Sequence, residues 1–283
     1  MSVMLATLVL NESEWLPKLY EQHRDWPGLV RWVFVEASDA AYAKANPDMV
    51  GPLGLSVDGT FNILHELAES DPRVIYIPYG RAEADDPAKA KCGPRDAYLR
   101  VAEALRPEFV ISLDADEFYT RDHQASLLGW MRTFPLTKSF IFRRREIWRP
   151  PAVQSSALFV REVVGGFWNI PCCHWWRWEP GMHHRLCHNT PHTADDVPMN
   201  RDILDLRDET ETPEMVHLGF ASTERTRRAK NRYYAERGEA VDRHRAWYVE
   251  SRAAWETWKP GVPLPRGAEV RDYGGPIPEC FRA

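Results

Sequence analysis

Apolar runs and amphipathic stretches alternate along the first half of the chain. Met4 to Leu10 is a continuous apolar run, as a strand buried on both faces requires. Asn11 and Glu14 then read as a helix-opening capping pair. Leu16, Leu19, Tyr20 and His23 fall on one helical face, with Pro17 early enough to disturb only the first turn. Val30 to Val35 predicts a second strand. Residues 59–69 predict a helix with Ile63, Leu64 and Leu67 inward, and Val74 to Ile77 a third strand ended by Pro78. A helix over 94–105 and a strand over 109–113 follow. Strands alternating with helices predict an α/β chain with a Rossmann-like, mainly parallel sheet flanked by helices. Open sheets of this kind bind ligands beyond the carboxyl ends of their strands.

Beyond residue 135 the pattern changes, and three segments are expected: 1–135, 136–221 and 222–283. Ser139 to Phe142 and Ala157 to Val160 read as strands, and Gly165 to His192 as a loop dense in Trp, His, Cys and Pro. Ser222 to Trp258 predicts two helices separated near Gly238, with Trp247, Trp255 and Trp258 on one face toward the body. Pro260, Pro263, Pro265, Pro276 and Pro278 make the tail extended.

Composition narrows the class. At 44% hydrophobic and 27% charged residues, a core of ordinary size can form and composition makes no case for disorder. The net charge of −5 makes a poor general polyanion binder, although Arg143-Arg144-Arg145 and the stretch from Arg225 to Arg232 are local basic patches. The second patch, followed by Tyr233-Tyr234, reads either as the wet face of a helix or as a contact to pyrophosphate or a nucleic-acid backbone. No apolar run approaches the roughly 18 residues of a membrane span. A cytoplasmic chain without integral membrane contact is therefore expected, its five Cys being thiols or metal ligands.

The strongest chemical signal is Phe109-Val110-Ile111-Ser112-Leu113-Asp114-Ala115-Asp116-Glu117. An apolar strand runs straight into three carboxylates. Positions i and i+2 of an extended chain point the same way, so Asp114 and Asp116 face one point of the cleft. Hard oxygen donors there suit Mg²⁺ or Mn²⁺ bridging two phosphates. The pattern alone is short, and a solvated strand end is the inert alternative.

With its context, the run from Leu8 to Asp116 resembles a family 2 glycosyltransferase with the GT-A fold. Leu8-Val9-Leu10-Asn11-Glu12 is similar to that family's first strand and turn. Val33-Phe34-Val35-Glu36-Ala37-Ser38 resembles its second strand, with Glu36 where the family usually carries Asp. Lys91-Cys92-Gly93-Pro94-Arg95-Asp96 resembles the segment before the donor-facing helix, and Leu113-Asp114-Ala115-Asp116 the D-x-D motif. The resemblance implies sugar transfer, with inversion, from a UDP- or GDP-sugar to a hydroxyl of a glycan, small molecule, protein or modified DNA base. It makes 1–135 the nucleotide-sugar-binding α/β half, 136–221 the acceptor-binding half with the Cys/His/Trp-rich loop, and 222–283 C-terminal helices and a Pro-rich tail packed on the same domain. It implies donor contacts from Leu10, Glu12, Glu36, Lys91, Arg95 and Asp114, and places Asp114, Asp116 and the late His217 around the metal.

Inversion needs a general base for the acceptor proton. Glu179, Asp195 and Asp196 are the candidates, Glu179 first because neighbouring indoles would desolvate it. Trp176 and Trp178 offer rings on which an acceptor stacks, and His183 and His184 offer imidazoles to it. Cys172, Cys173, His183 and Cys187 are a candidate structural Zn²⁺ set, although adjacent Cys rarely share an ion. The competing classes are a zinc-stapled binding module, a phage-type DNA glycosyltransferase acting on a hydroxymethylated base, and a nucleotidyltransferase. The last is disfavoured because Leu8 to Trp15 holds no Gly for a phosphate loop.

Overall fold

The first apolar run becomes β1 (Val3–Val9), set inside a seven-stranded sheet with both faces covered. The computed structural model describes residues 1–83, 89–150, 158–164, 173–185, 190–207, 212–221, 223–237, 250 and 253–282. β1 lies between β2 (Leu29–Asp39) and β4 (Phe109–Ser112), and β3 (Val74–Ala82) forms the edge beyond β2. These four strands are parallel. Past β4 come β9 (Cys173–Arg177), β6 (Ser139–Ile141) and β10 (Ile203–Asp205), so the middle of the chain enters the same sheet. Within this sheet β9 is antiparallel to both neighbours, and the other strands share one direction. The expected mainly parallel α/β architecture is the one observed.

Strand alternation sorts the core into two layers. Met4 and Ala6, with Val33, Val35, Val110 and Trp176, meet Ala97 and Tyr98 of α4 (Cys92–Leu105). Leu5, Trp32, Phe34, Ile111 and Trp175 face the other way, toward Leu16 and Leu19 of α1 (Leu16–His23) and Leu127 of α5 (Arg121–Thr133). A second sheet has the order β12 (Glu269–Asp272), β8 (Arg161–Val164), β7 (Arg143–Trp148), β11 (Glu214–Phe220), β5 (Glu117–Phe118). The tail therefore supplies a strand, paired antiparallel to β8. Trp148, Phe220, Trp255 and Trp258 form a third buried cluster, whereas Trp247 and Gly238 lie outside the described residues. Helix α6 (Glu224–Arg237) is tied to α2 (Ala40–Ala45) and its end: Asn46 donates to the Ala229 carbonyl at 3.1 Å and accepts from Arg232 at 2.7 Å. No described helix is long and apolar enough to cross a membrane.

Several local expectations are corrected. Pro78 does not end β3, which runs on to Ala82; an edge strand tolerates the missing N–H, and the register shifts just there, between Glu36 and Ala37. Asn11 and Glu14 do not cap α1, whose N-cap is Trp15. Asn11 instead takes φ 56° and latches the following loop, donating to the Met49 carbonyl at 2.6 Å and accepting from the Val57 N–H at 2.9 Å. The strand expected at Ala157 to Val160 begins at Arg161; residues 158–160 are turn and bend, and Ala157 lies outside the described residues.

Gln22 and His23 are the buried polar residues of α1. The His23 Nδ1 bonds the Leu19 carbonyl at 3.0 Å, and its Nε2 accepts from the Tyr119 N–H at 3.1 Å, which fixes the neutral tautomer. Burial lowers its pKa to about 3, against the opposing pull of the Leu19 carbonyl and Glu279. The unfolded chain takes up a proton below about 6.5 that the folded chain refuses. His23 therefore costs no stability above pH 6.5, and stability falls by about 1.4 kcal/mol per pH unit as pH drops from there toward 3. Urea unfolding between pH 6 and 4 should show a steeper loss in the wild type than in His23→Gln; equal slopes would discard this assignment.

Candidate functional site

The carboxyl ends of β1, β2 and β4 open into a cleft of ≈ 940 Å³ that merges with solvent. β1 brings Leu10 and Glu12, β2 brings Ser38 and Asp39, α2 brings Tyr42, and the start of α4 brings Lys91 and Arg95. Asp114 and Asp116 come from the turn after β4, and Thr226, Lys230 and Tyr233 from α6. The spacing of those three, i, i+4 and i+7, puts them on one helical face.

The two aspartates converge by a turn rather than by the pleat of an extended strand. The Glu117 N–H donates to the Asp114 carbonyl at 3.0 Å, and the Asp114 N–H donates to the Glu117 carboxylate at 2.9 Å. Glu117 is thereby a buried brace for the turn. Its pKa rises to about 8 through burial and the neighbouring Asp114 charge, partly offset by His217. Asp114 is half-buried, and its side chain makes no hydrogen bond or ion pair among the described residues.

Asp116 is 3% exposed and sits between two cations. The Lys230 ammonium donates to one of its oxygens at 3.1 Å, and the His217 Nε2 stands 3.5 Å from the other. Burial raises its pKa, but Lys230 and His217 outweigh it and hold the carboxyl well below the usual range. The parallel pairing of β7 with β11 places Glu146 beside His217, and the antiparallel pairing of β5 with β11 places Glu117 across from it. Glu146 is buried, takes the His217 Nδ1–H at 2.5 Å and pairs with Arg144 at 2.5 Å. Burial alone would keep His217 neutral; Glu146 and Asp116 overcome it and raise its pKa well above 6.5. Gly219 leaves room for this ring, because a Cβ there would lie 2.3 Å from the imidazole. Lys230 also stands 4.0 Å from Glu12. Burial lifts the Glu12 pKa to about 8, against Lys230 and with help from Asp116, Asp114 and Asp58. Arg144, Glu146, His217, Asp116 and Lys230 thus form a row of alternating sign that runs from behind the cleft to its wall, with Glu12 beyond Lys230.

Of the residues singled out in the sequence, Leu10, Glu12, Lys91, Arg95, Asp114 and Asp116 meet in the cleft, with His217 behind Asp116. Others do not. Glu36 is fully buried: its carboxylate accepts from the Ser56 N–H at 2.7 Å and from the Tyr76 hydroxyl. It therefore props the 51–58 loop, and Ser38 and Asp39 take the cleft wall. Glu179 is carried away because β9 is antiparallel: Arg177 pairs with Phe109, at the end of β4 opposite the cleft. There Glu179 pairs with Lys138 at 2.8 Å. Trp176 is 0% exposed against α4, so its ring is not offered to an acceptor, and Trp178 packs beside it half-buried. Asp195 and Asp196 are exposed, with Asp196 holding Arg185 and His183. The His184 side chain is fully buried, its Nδ1 3.1 Å from Asp96. Of the proposed zinc set, His183 is engaged by Asp196, Cys172 and Cys187 lie outside the described residues, and the Cys173 side chain is not described. The basic patches are also committed. Arg143, Arg144 and Arg145 pair with Glu214, Glu146 and Glu162, and Arg225, Arg227 and Arg232 bind Asp48, Gly219 and Asn46.

Because the Lys138–Glu179 pair is partly exposed, Glu179→Gln should cost at most about 1 kcal/mol of stability by urea unfolding; a loss near about 3 kcal/mol would mean that the pair is a buried structural one.

No family model matches this chain, and no curated protein does. Among solved structures, S. aureus TarS 1-349 in complex with UDP-GlcNAc is 13% identical over 90% of this chain and 74% of that one, with a TM-score of 0.44. Against the longer S. aureus TarS structure, 56% of this chain aligns and spans 24% of its length, with a TM-score of 0.32. The mannosyltransferase PcManGT from Pyrobaculum calidifontis, in complex with GDP-Man and Mn2+, is 22% identical over 52% of this chain and 36% of that one, with a TM-score of 0.32. Likeness of this strength names no activity for this chain.

Proposed function

We propose that this chain is a glycosyltransferase that takes its sugar from a nucleoside-diphosphate donor and passes it to a hydroxyl acceptor, with inversion. The observation that carries the reading is the cleft at the carboxyl ends of parallel strands, where Asp114 and Asp116 face Lys91, Arg95 and Lys230. That mixture suits a diphosphate: cations bind its oxygens, and carboxylates hold a divalent ion against it. Ser38, whose buried hydroxyl has no hydrogen-bond partner among the described residues, lies with Asp39 and Tyr42 where a nucleoside would rest.

The donor set fits a divalent ion that arrives with its phosphates. The His217 Nε2 stands 3.5 Å from Asp116, and Glu146 takes the Nδ1–H as carboxylate partners of metal-binding His do, so His217 would serve as a donor once its Nε2 proton is given up on the ion's arrival. Among the described residues no group of three or more His, Cys, Asp or Glu side chains forms a complete cage. Mg²⁺ and Mn²⁺ commonly complete such sites with substrate phosphates. When bound, the ion supplies Lewis-acid stabilisation of the departing diphosphate. Arg95 and Lys91 would bind phosphate oxygens, Asp114 would fix the edge of the sugar, and the Glu117 brace would hold both aspartates in register.

Release of UDP, GDP and CDP from their sugars, with Mn²⁺ and with EDTA, tests the proposal. A nucleoside diphosphate should be released from one donor class and chelation should suppress it. Release of pyrophosphate from a nucleoside triphosphate would instead assign nucleotidyl transfer. No thermal stabilisation by UDP, GDP or CDP, with no release from any donor, would end the glycosyltransferase reading.

A further inference from the structure

We propose that Lys230 is a tethered counter-cation of Asp116 that competes with the divalent ion for that carboxylate and passes to the diphosphate when the ion takes its place. Lys230 sits at the centre of the α6 face that lines the cleft, between Thr226 and Tyr233. Its ammonium reaches one Asp116 oxygen at 3.1 Å and stands 4.0 Å from Glu12. Asp116 is nearly enclosed, at 3% exposure. A buried carboxylate needs a partner charge when no ion is present, and Lys230 supplies it from a helix whose position is set independently. The Tyr233 hydroxyl donates to Asp39 at 2.6 Å, and Asn46 bonds both the Ala229 carbonyl and Arg232. The ammonium is thus held at the site by α6 rather than by Asp116 alone. A divalent ion on Asp116 would face that ammonium across a few ångströms of poorly screened space, so one of the two charges must give way. The Lys230 side chain, 27% exposed, has the slack to turn toward the open cleft, where a diphosphate offers new anionic oxygens. Donor then clears the ion's site of its competitor, and ion and donor bind with positive coupling.

The competition is tested with Mn²⁺ alone on the full chain, following free Mn²⁺ by electron paramagnetic resonance. Lys230→Met and Lys230→Gln should bind Mn²⁺ roughly tenfold more tightly than the wild type. Lys230→Arg should stay near the wild-type value, and Asp116→Asn should bind none. Melting curves show which variants are folded, and two neutral variants are used so that one unfolded protein does not decide the outcome. Unchanged Mn²⁺ affinity in a folded neutral variant overturns the proposal, as does absence of Mn²⁺ binding throughout. The hand-over to phosphate rests on the glycosyltransferase reading and is measured separately. At saturating Mn²⁺, Lys230→Met should bind UDP or GDP roughly tenfold more weakly, and wild-type Mn²⁺ affinity should rise when the nucleotide is added. If Mn²⁺ tightens in the neutral variants and no nucleotide binds, the competition stands and the donor reading falls.

Discussion

Asp116→Asn is expected to lower the proposed sugar transfer by at least about 10²-fold, the scale seen when a group that stabilises transition-state charge is removed. The substitution keeps the shape of the side chain and deletes its charge. Asp116 contacts both Lys230 and His217 and so links the cations of α6 and β11. Its backbone is independently fixed, because the Leu218 N–H donates to the Asp116 carbonyl at 2.8 Å. The turn should therefore survive. Lys230 is 27% exposed and can turn to solvent, and His217 retains Glu146, so neither cation is stranded. The loss of stability should stay near 1–3 kcal/mol, the range for a lost buried hydrogen bond. Asp114→Asn should cost less activity, since its half-buried carboxylate holds neither cation. Initial rates of nucleoside-diphosphate release at saturating donor, beside circular dichroism of each variant, decide the matter. Wild-type rates in folded Asp116→Asn would remove the aspartate from the chemistry.

What could be read from the sequence follows the range of the interaction. β1, β2 and β4 are legible because strands covered on both faces must be apolar at successive positions, as Met4, Leu5 and Ala6 are; the end of edge strand β3 is not, since its exposed positions carry no such run. The ends of those strands then delivered Leu10, Glu12, Asp114 and Asp116 to one place, whatever the rest of the chain did. Glu179 was misplaced because nothing local shows that β9 runs against β4, and that reversal decides which end of the sheet it leaves from. Trp176 reads in the sequence as a ring for an acceptor; it lies on an internal strand against α4, while its neighbour Trp175 is closed by the other layer. Lys230 and Glu146 were hidden for another reason. Both sit in charged runs that read as solvated surface, and both acquire partners only through contacts far apart in sequence: Lys230 lies 114 residues from Asp116, and Glu146 lies 71 from His217. The signal available for Lys230 was its i, i+4, i+7 stripe with Thr226 and Tyr233, polar where a packed helix would be apolar.

Glu146 is where the site and the fold depend on the same side chain. Replacing it with Ala should cost about 3–5 kcal/mol, the usual loss when one member of a buried charge cluster is removed. Glu146 is 1% exposed, and its deletion leaves Arg144 and the His217 imidazolium facing each other with less negative charge between them. Glu146→Gln keeps the volume and an acceptor for the Nδ1–H, so it should fall between Ala and the wild type. The pH dependence separates a charge effect from a packing effect. Burial works to raise the Glu146 pKa, but Arg144 and His217 hold it below the ordinary 4.5; its contribution is full above that value and fades as pH falls through the folded pKa. His217 is shifted upward, so its contribution is full below 6.5 and fades as pH rises through its folded pKa. The deficit of Glu146→Gln against the wild type should therefore be widest between about pH 4.5 and 6.5 and narrow on both sides. Urea titrations across pH 4 to 9 measure it. A deficit that is flat with pH would mean that Glu146 serves by filling space, and the orientation of His217 toward Asp116 would need another cause.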